Sequence, residues 1–165
     1  LDEPQSRALR IGRYSEPNRI YIVTSCTFDR RPVFRDLYLG RVLVGEFRFQ
    51  QEVAHAATLT YVIMPDHFHW LMRLLPGAEL SGVVQSVKGR TATRINRIVG
   101  TLGSKLWQPG FHDRAVRREE DLAGLAHYIV CNPVRAGLVH NVADYALWDS
   151  LWAAEWLELQ KENRG

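Results

Sequence analysis

Cysteine is nearly absent. Only Cys26 and Cys131 occur in the 165-residue chain, and their separation matches no metal-ligand spacing. That excludes a disulfide-stapled scaffold and a cysteine-rich zinc module, and it predicts two reduced thiols in a cytoplasm. No run of about 18 apolar residues occurs, so no membrane-spanning helix is expected. The opening stretch, LDEPQSRALRIGRYSEP, has no apolar core of the kind a secretory signal carries. Internal repeats and low-complexity tracts are also missing, and the length suits one compact domain over 1–165. Charge of one sign is not in great excess. The formal net charge is +3 with an isoelectric point near 9.1, a modest bias towards polyanions that decides nothing by itself.

What the chain does have is a pair of histidines, His67 and His69, in the stretch Met64-Pro65-Asp66-His67-Phe68-His69-Trp70-Leu71-Met72. Side chains alternate faces along a strand, so both imidazoles would lie on one side of a sheet and Phe68, Trp70 and Met72 on the other. Two imidazole nitrogens so placed can grip a divalent metal, though a solvated or hydrogen-bonded pair is the ordinary alternative. Asp66 is expected either to orient one imidazole or to cap the turn.

The second informative segment is Asp121 to Pro133. Leu122, Leu125, Ala126 and Ile129 recur at three- and four-residue intervals, as an amphipathic helix requires, and Glu119, Glu120 and Asp121 place negative charge at its start. Pro133 disfavours the α conformation at Asn132 and should end or kink the helix there. Tyr128 and Asn132 are four apart and share a face. A phenol is a poor nucleophile at neutral pH, its ordinary pKa being about 10. It can still attack a phosphodiester whose charge a metal draws away. His67, His69 and Asn132 would supply three ligands. The alternative for Tyr128 is a ring packed on the sheet.

The chain resembles the single-tyrosine HUH transposases, and within them the REP-associated tyrosine transposases. The segments that carry the resemblance are YVIMPDHFHWLMRL, LWQPGFHDRAVRREEDL and HYIVCNPVRAGLV, and the similarity runs from about Arg13 to about Trp152. It implies a metal-dependent enzyme that cuts single-stranded DNA through a covalent 5′-phosphotyrosine, leaves a free 3′-hydroxyl and rejoins ends by the reverse step. The nucleophile maps to Tyr128, and the metal ligands map to His67, His69 and Asn132. The asparagine stands where many relatives carry glutamine. The implied metal is Mg2+ or Mn2+, and imidazole ligation suits manganese somewhat better. The implied partner is a hairpin-forming, REP-like palindrome in single-stranded DNA, with no membrane, bound by a monomer or a homodimer.

Along the chain, an N-terminal arm over 1–18 carries Arg7, Arg10 and Arg13, which are candidate DNA contacts. Strands are expected over Arg19–Asp29, Ala57–Met64 and His67–Leu75, with a short one around Gly110 within Lys105–Val116. Helices are expected from Asp36, as cap, to about Val53, and over Leu80–Val99. The segment 141–165 is read as a helical tail with Trp148, Trp152 and Trp156 at helical spacing. These tryptophans are either docking residues or a stacking platform for bases. The order is that of an α+β, ferredoxin-like antiparallel sheet, with two helices on one face and the HUH site on the other. Lys88, Arg90 and Arg94 on the second helix, Arg114, Arg117 and Arg118 before the tyrosine helix, and Arg135 after it are candidate phosphate contacts. For any one of them, a solvated surface position is the alternative. His112 and His127 are secondary candidates. Two other functions fit the same elements: a non-catalytic single-strand-binding module and a metallohydrolase using metal-bound water.

Overall fold

Strand β1 (Ile20–Cys26) shows the strict alternation of a half-buried strand, with Tyr21, Val23 and Ser25 turned to one side. The computed structural model describes residues 16–162. Arg7, Arg10 and Arg13, and most of the expected arm, lie outside the described residues. β1 ends three residues before the expected Asp29, because Asp29 and Arg30 take positive φ of 53° and 52° and turn the chain. Helix α1 (Leu37–Glu52) follows. Its N-terminus is capped as expected, with the Asp36 carboxylate accepting from the backbone N–H of Tyr38 and Leu39. Strands β2 (Ala56–Met64) and β3 (His67–Leu74) form a hairpin about Pro65-Asp66, and helix α2 spans Leu80–Val99. β4 (His112–Ala115) starts beyond Gly110 rather than around it, since Gly110 adopts φ 75°. Helix α3 spans Leu122–Val130 and a one-turn helix α4 spans Asn132–Arg135.

The sheet is antiparallel throughout, in the order β4-β1-β3-β2-β5. The first four strands and two helices follow the expected βαββαβ plan. The fifth strand, β5 (Trp148–Ser150), was not expected and corrects the all-helical reading of the tail. It pairs with the free edge of β2; before it the tail makes a single 3-10 turn over Val142–Asp144, and after it helix α5 spans Ala153–Glu162. Trp148 is therefore a strand residue, not one step of a helical tryptophan stripe. The approach to β5 is close-packed. A Cβ on Gly40 of α1 would collide with the Leu147 side chain, and Tyr145 donates its hydroxyl hydrogen to Ile63 O at 2.6 Å.

Two apolar layers flank the sheet. On one face α1 and α2 cover Tyr21, Val23, Phe68, Trp70 and Met72. There Phe47 stacks on Trp70 at 4.6 Å, and the Trp70 indole N–H is satisfied by Thr58 Oγ1 at 2.9 Å. On the other face α3 lays Ala126 and Ile129 against Leu59, Val62, Met64 and Leu71. The odd-numbered residues of β3 belong to this second face, which puts His67 and His69 on the side of the tyrosine helix. No described helix is long and apolar enough to cross a membrane.

Candidate active site

Each histidine is held through its Nδ1. His67 Nδ1 is 2.7 Å from Asp66 Oδ1, and His69 Nδ1 is 2.7 Å from Thr24 Oγ1. Asp66 thus orients an imidazole, which decides between the two roles considered for it. Thr24 lies directly across from His69 in the β1–β3 register. With both Nδ1 atoms engaged, Nε2 is the ring nitrogen that stays available on each histidine. The ring centroids are 5.0 Å apart with planes at 82°. Burial is the largest influence on His69, followed by the charges of His67 and Arg135, and together they push its pKa down to about 4. The imidazole is therefore neutral at physiological pH, the form in which it binds a metal. A carboxylate or hydroxyl on the far nitrogen is the usual support for a metal-ligating histidine. Among the described residues no group of three or more His, Cys, Asp and Glu is placed to hold a metal. A metal held by the histidine pair would need a donor of another kind to complete it, such as an amide oxygen.

Tyr128 and Asn132 come from the far side of this face. Asp121 caps α3 by accepting from Gly124 N–H. The helix buries Ala126, Ile129 and Val130 and leaves Tyr128 62% exposed, so the ring is not packed on the sheet. α3 ends at Val130, and Cys131 joins it to α4, with Pro133 in the first turn where its missing N–H costs nothing. Asn132 Nδ2 donates to Ile129 O at 2.8 Å, which commits the nitrogen of the amide and not its oxygen. Arg135 ties the pieces together. Its guanidinium donates to Tyr128 O at 2.7 Å, its Cζ sits 3.8 Å from the Tyr128 ring centroid, and its charge is felt at His69. His127 points elsewhere, 5.1 Å edge-on to Trp156. His112 is opposite Thr24 on β4, in the same row as His69 and exposed.

Residues 17–132 match the family described as "Transposase IS200 like". The chain belongs to this family. It is accordingly an enzyme of the tyrosine transposase, HUH endonuclease type. It is 28% identical over 139 residues to a protein of Haemophilus influenzae assigned as a REP-associated tyrosine transposase, covering 76% of each chain. It is 30% identical over 87 residues to the REP-associated tyrosine transposase of Escherichia coli K12, covering 52% of this chain and 48% of that one. In fold it is similar to a REP-associated tyrosine transposase whose structure was solved bound to a REP hairpin (TM-score 0.68, 22% identity, 82% and 79% covered). It is also similar in fold to a transposase of Deinococcus radiodurans (TM-score 0.53, 24% identity, 72% and 93% covered).

The cations of this IS200-like transposase divide by face. Arg90 and Arg94 on α2 clasp Glu46 of α1 at 2.7 and 2.8 Å, under the sheet and away from the histidines. Glu46 is fully buried, so these two arginines neutralise it. Lys88 donates to the carbonyls of Gln108 and Gly110 at 3.0 and 2.5 Å and holds the loop before β4. Arg114, Arg117 and Arg118 belong to the tyrosine side. Arg114 makes a two-point pair with Glu120. Arg117 and Arg118 line a cleft of about 440 Å³ together with Arg19 and Arg73. Arg19 is paired with Glu16 there. Sequence reasoning missed Thr24, Arg19, Arg73 and Arg30. Thr24 and Arg73 are ordinary strand residues until the register places them, Arg19 lies just before β1, and Arg30 is described below.

Proposed function

We propose that this transposase is a metal-dependent single-stranded DNA endonuclease and strand transferase that acts on REP-like hairpins through Tyr128. The observation that carries the reading is the pair His67 and His69, both fixed through Nδ1 with Nε2 presented, on the face where the exposed Tyr128 stands. His67 and His69, with the amide oxygen of Asn132, would hold Mg2+ or Mn2+. When bound, such an ion polarises the scissile phosphate and offsets charge on the leaving oxygen. The Tyr128 phenol oxygen attacks the phosphorus, the bond from phosphorus to the 3′-oxygen breaks, and that oxygen leaves as a 3′-hydroxyl on taking up a proton. The 5′-phosphate stays on Tyr128 as a phosphodiester. A 3′-hydroxyl attacking that phosphorus reverses the step and rejoins a strand.

Arg135 sits over the Tyr128 ring, its Cζ 3.8 Å from the ring centroid. It also restricts the ring's rotation. The arginine cleft gives the DNA a place to lie. Arg73 is four residues beyond His69 on the same strand, about 13 Å at roughly 3.3 Å per residue. Leu71 between them is buried under α3, so a single strand that reaches Arg73, Arg117 and Arg118 from the histidines passes around the tyrosine helix. The hairpin as substrate is supported by the likeness to the two REP-associated proteins. The test is a labelled, hairpin-bearing single strand incubated with Mn2+ and run on a denaturing gel. A protein-linked 5′ fragment, lost with chelator, supports the reading. Cleavage without any adduct would replace Tyr128 with a water nucleophile.

A further inference from the structure

Arg30 has no part in the site as drawn from its ligands, yet it is built into it. Its Nε donates to Asp66 Oδ2 at 2.9 Å, while the other oxygen of that carboxylate receives His67 Nδ1 at 2.7 Å. Its Nη1 donates to Cys26 Sγ at 2.7 Å, and Cys26 is opposite His67 in the β1–β3 register. The guanidinium therefore spans the carboxylate behind His67 and the side chain beside it. The backbone that delivers it is unusual. Asp29 and Arg30 are consecutive residues with side chains in the left-handed region, at φ 53° and 52°, where glycine would be at ease. The turn is pinned to the hairpin beneath it. Thr27 N–H donates to Asp66 O at 2.9 Å, Thr27 Oγ1–H shares Arg31 O and Asp66 O, and Phe34 N–H donates to Pro65 O at 2.9 Å. The Arg30–Asp66 pair is half exposed on the arginine side, and such pairs add little to stability. Strain retained for a contact of small energetic worth points to geometry as its purpose.

We propose that Arg30 is a positioning residue that, by clamping Asp66, fixes the ring orientation and tautomer of His67 so that Nε2 is presented as the ligand atom. With Arg30 in place, Asp66 Oδ2 is occupied and Oδ1 is aimed at His67 Nδ1–H. Without it, the carboxylate is free to rotate about its side-chain torsions and to turn to solvent. The consequence for metal binding rests on the proposed function, whereas the consequence for His67 does not.

The decisive variant is Arg30→Gly. It deletes the guanidinium but suits a φ of 52°, so the turn is kept or relaxed and loss of folding is not the outcome. Nitrogen-15 NMR of the metal-free full chain at pH 8 reads the His67 tautomer directly. Wild type is expected to show one tautomer, protonated at Nδ1, and Arg30→Gly a mixture. Arg30→Lys is expected to lie between them, because it keeps the charge without the fork. Mn2+ affinity, measured without DNA, should fall by about tenfold to a hundredfold in Arg30→Gly. It should fall no further when the same change is made on Asp66→Asn. An unchanged His67 tautomer in Arg30→Gly overturns the proposal whatever the metal does. A tautomer that shifts in Arg30→Gly, together with a wild-type protein that binds no Mn2+, leaves Arg30 as the residue that positions His67 and overturns the metal reading instead.

Discussion

His69 carries the clearest electrostatic signature in the site. Burial, with help from His67 and Arg135, holds its pKa at about 4 in the folded chain, against an ordinary value of 6.5. The unfolded chain takes up this proton below about pH 6.5, and the folded chain refuses it until about pH 4. The neutral imidazole therefore costs nothing above pH 6.5, and stability is lost as pH falls through that window, by at most about 3 kcal/mol. Urea unfolding in chelator at pH 7.5 and pH 4.5 checks this. Wild type should lose stability between the two, and His69→Gln should lose clearly less; equal losses would mean the imidazole is not held neutral. Thr24 supports the same ring from β1. Thr24→Val preserves the strand and its shape but removes the partner of His69 Nδ1, and Mn2+ affinity should drop about tenfold while the urea midpoint changes little. The shared face of the two histidines was legible in the sequence because a two-residue spacing on a strand fixes it, whereas Asn132 falls on the separate turn α4, beyond the end of the helix that carries Tyr128. Thr24 and Arg30 were not, because they meet the histidines only through strand register and a left-handed turn, and neither has a local pattern.

At the scale of elements, α1 and α2 form an electrostatic as well as an apolar layer. Glu46 is buried and is matched by Arg90 and Arg94 across the helix pair. Replacing both arginines by alanine leaves a buried carboxylate without its partners and should cost roughly 3 kcal/mol. The urea midpoint should fall accordingly, while affinity for a hairpin-bearing strand stays within about twofold, since these cations lie under the sheet. A large loss of DNA affinity without destabilisation would return them to the interface. From sequence, α2 reads as a basic face, and the helix itself is found to the residue, because its apolar period and the glycine at its end are local. The acid that claims its arginines sits on another helix, and a single-helix reading has no access to it. The tail shows the same limit. Three tryptophans at four-residue spacing imitate a helix, but the free edge of β2 takes Trp148–Ser150 as a strand, and a three-residue strand is too short to show alternation. Trp148, Trp152 and Trp156 then pack against the layer formed by α3, as docking residues would.

Over the whole molecule, one face of the sheet is closed by α1 and α2 and the other carries the histidines, the tyrosine helix and the arginine cleft. If DNA lies in the cleft it touches Arg73, Arg117 and Arg118, and the salt dependence of binding then reports on the cleft. Changing Arg117 and Arg118 together to alanine should lower the slope of log affinity against log salt by between one and two, with the His67 and His69 spectra unchanged. An unaltered slope would place the DNA elsewhere. The most direct measurement is on Tyr128 itself. Wild type and Tyr128→Phe are incubated with a labelled single strand carrying a hairpin, with Mn2+ and then with chelator, and resolved on a denaturing gel. A 5′ fragment covalently attached to wild type, absent from Tyr128→Phe and absent without metal, is the expected result. Cleavage that persists in Tyr128→Phe, or proceeds fully in chelator, would contradict a tyrosine nucleophile working beside a histidine-held metal.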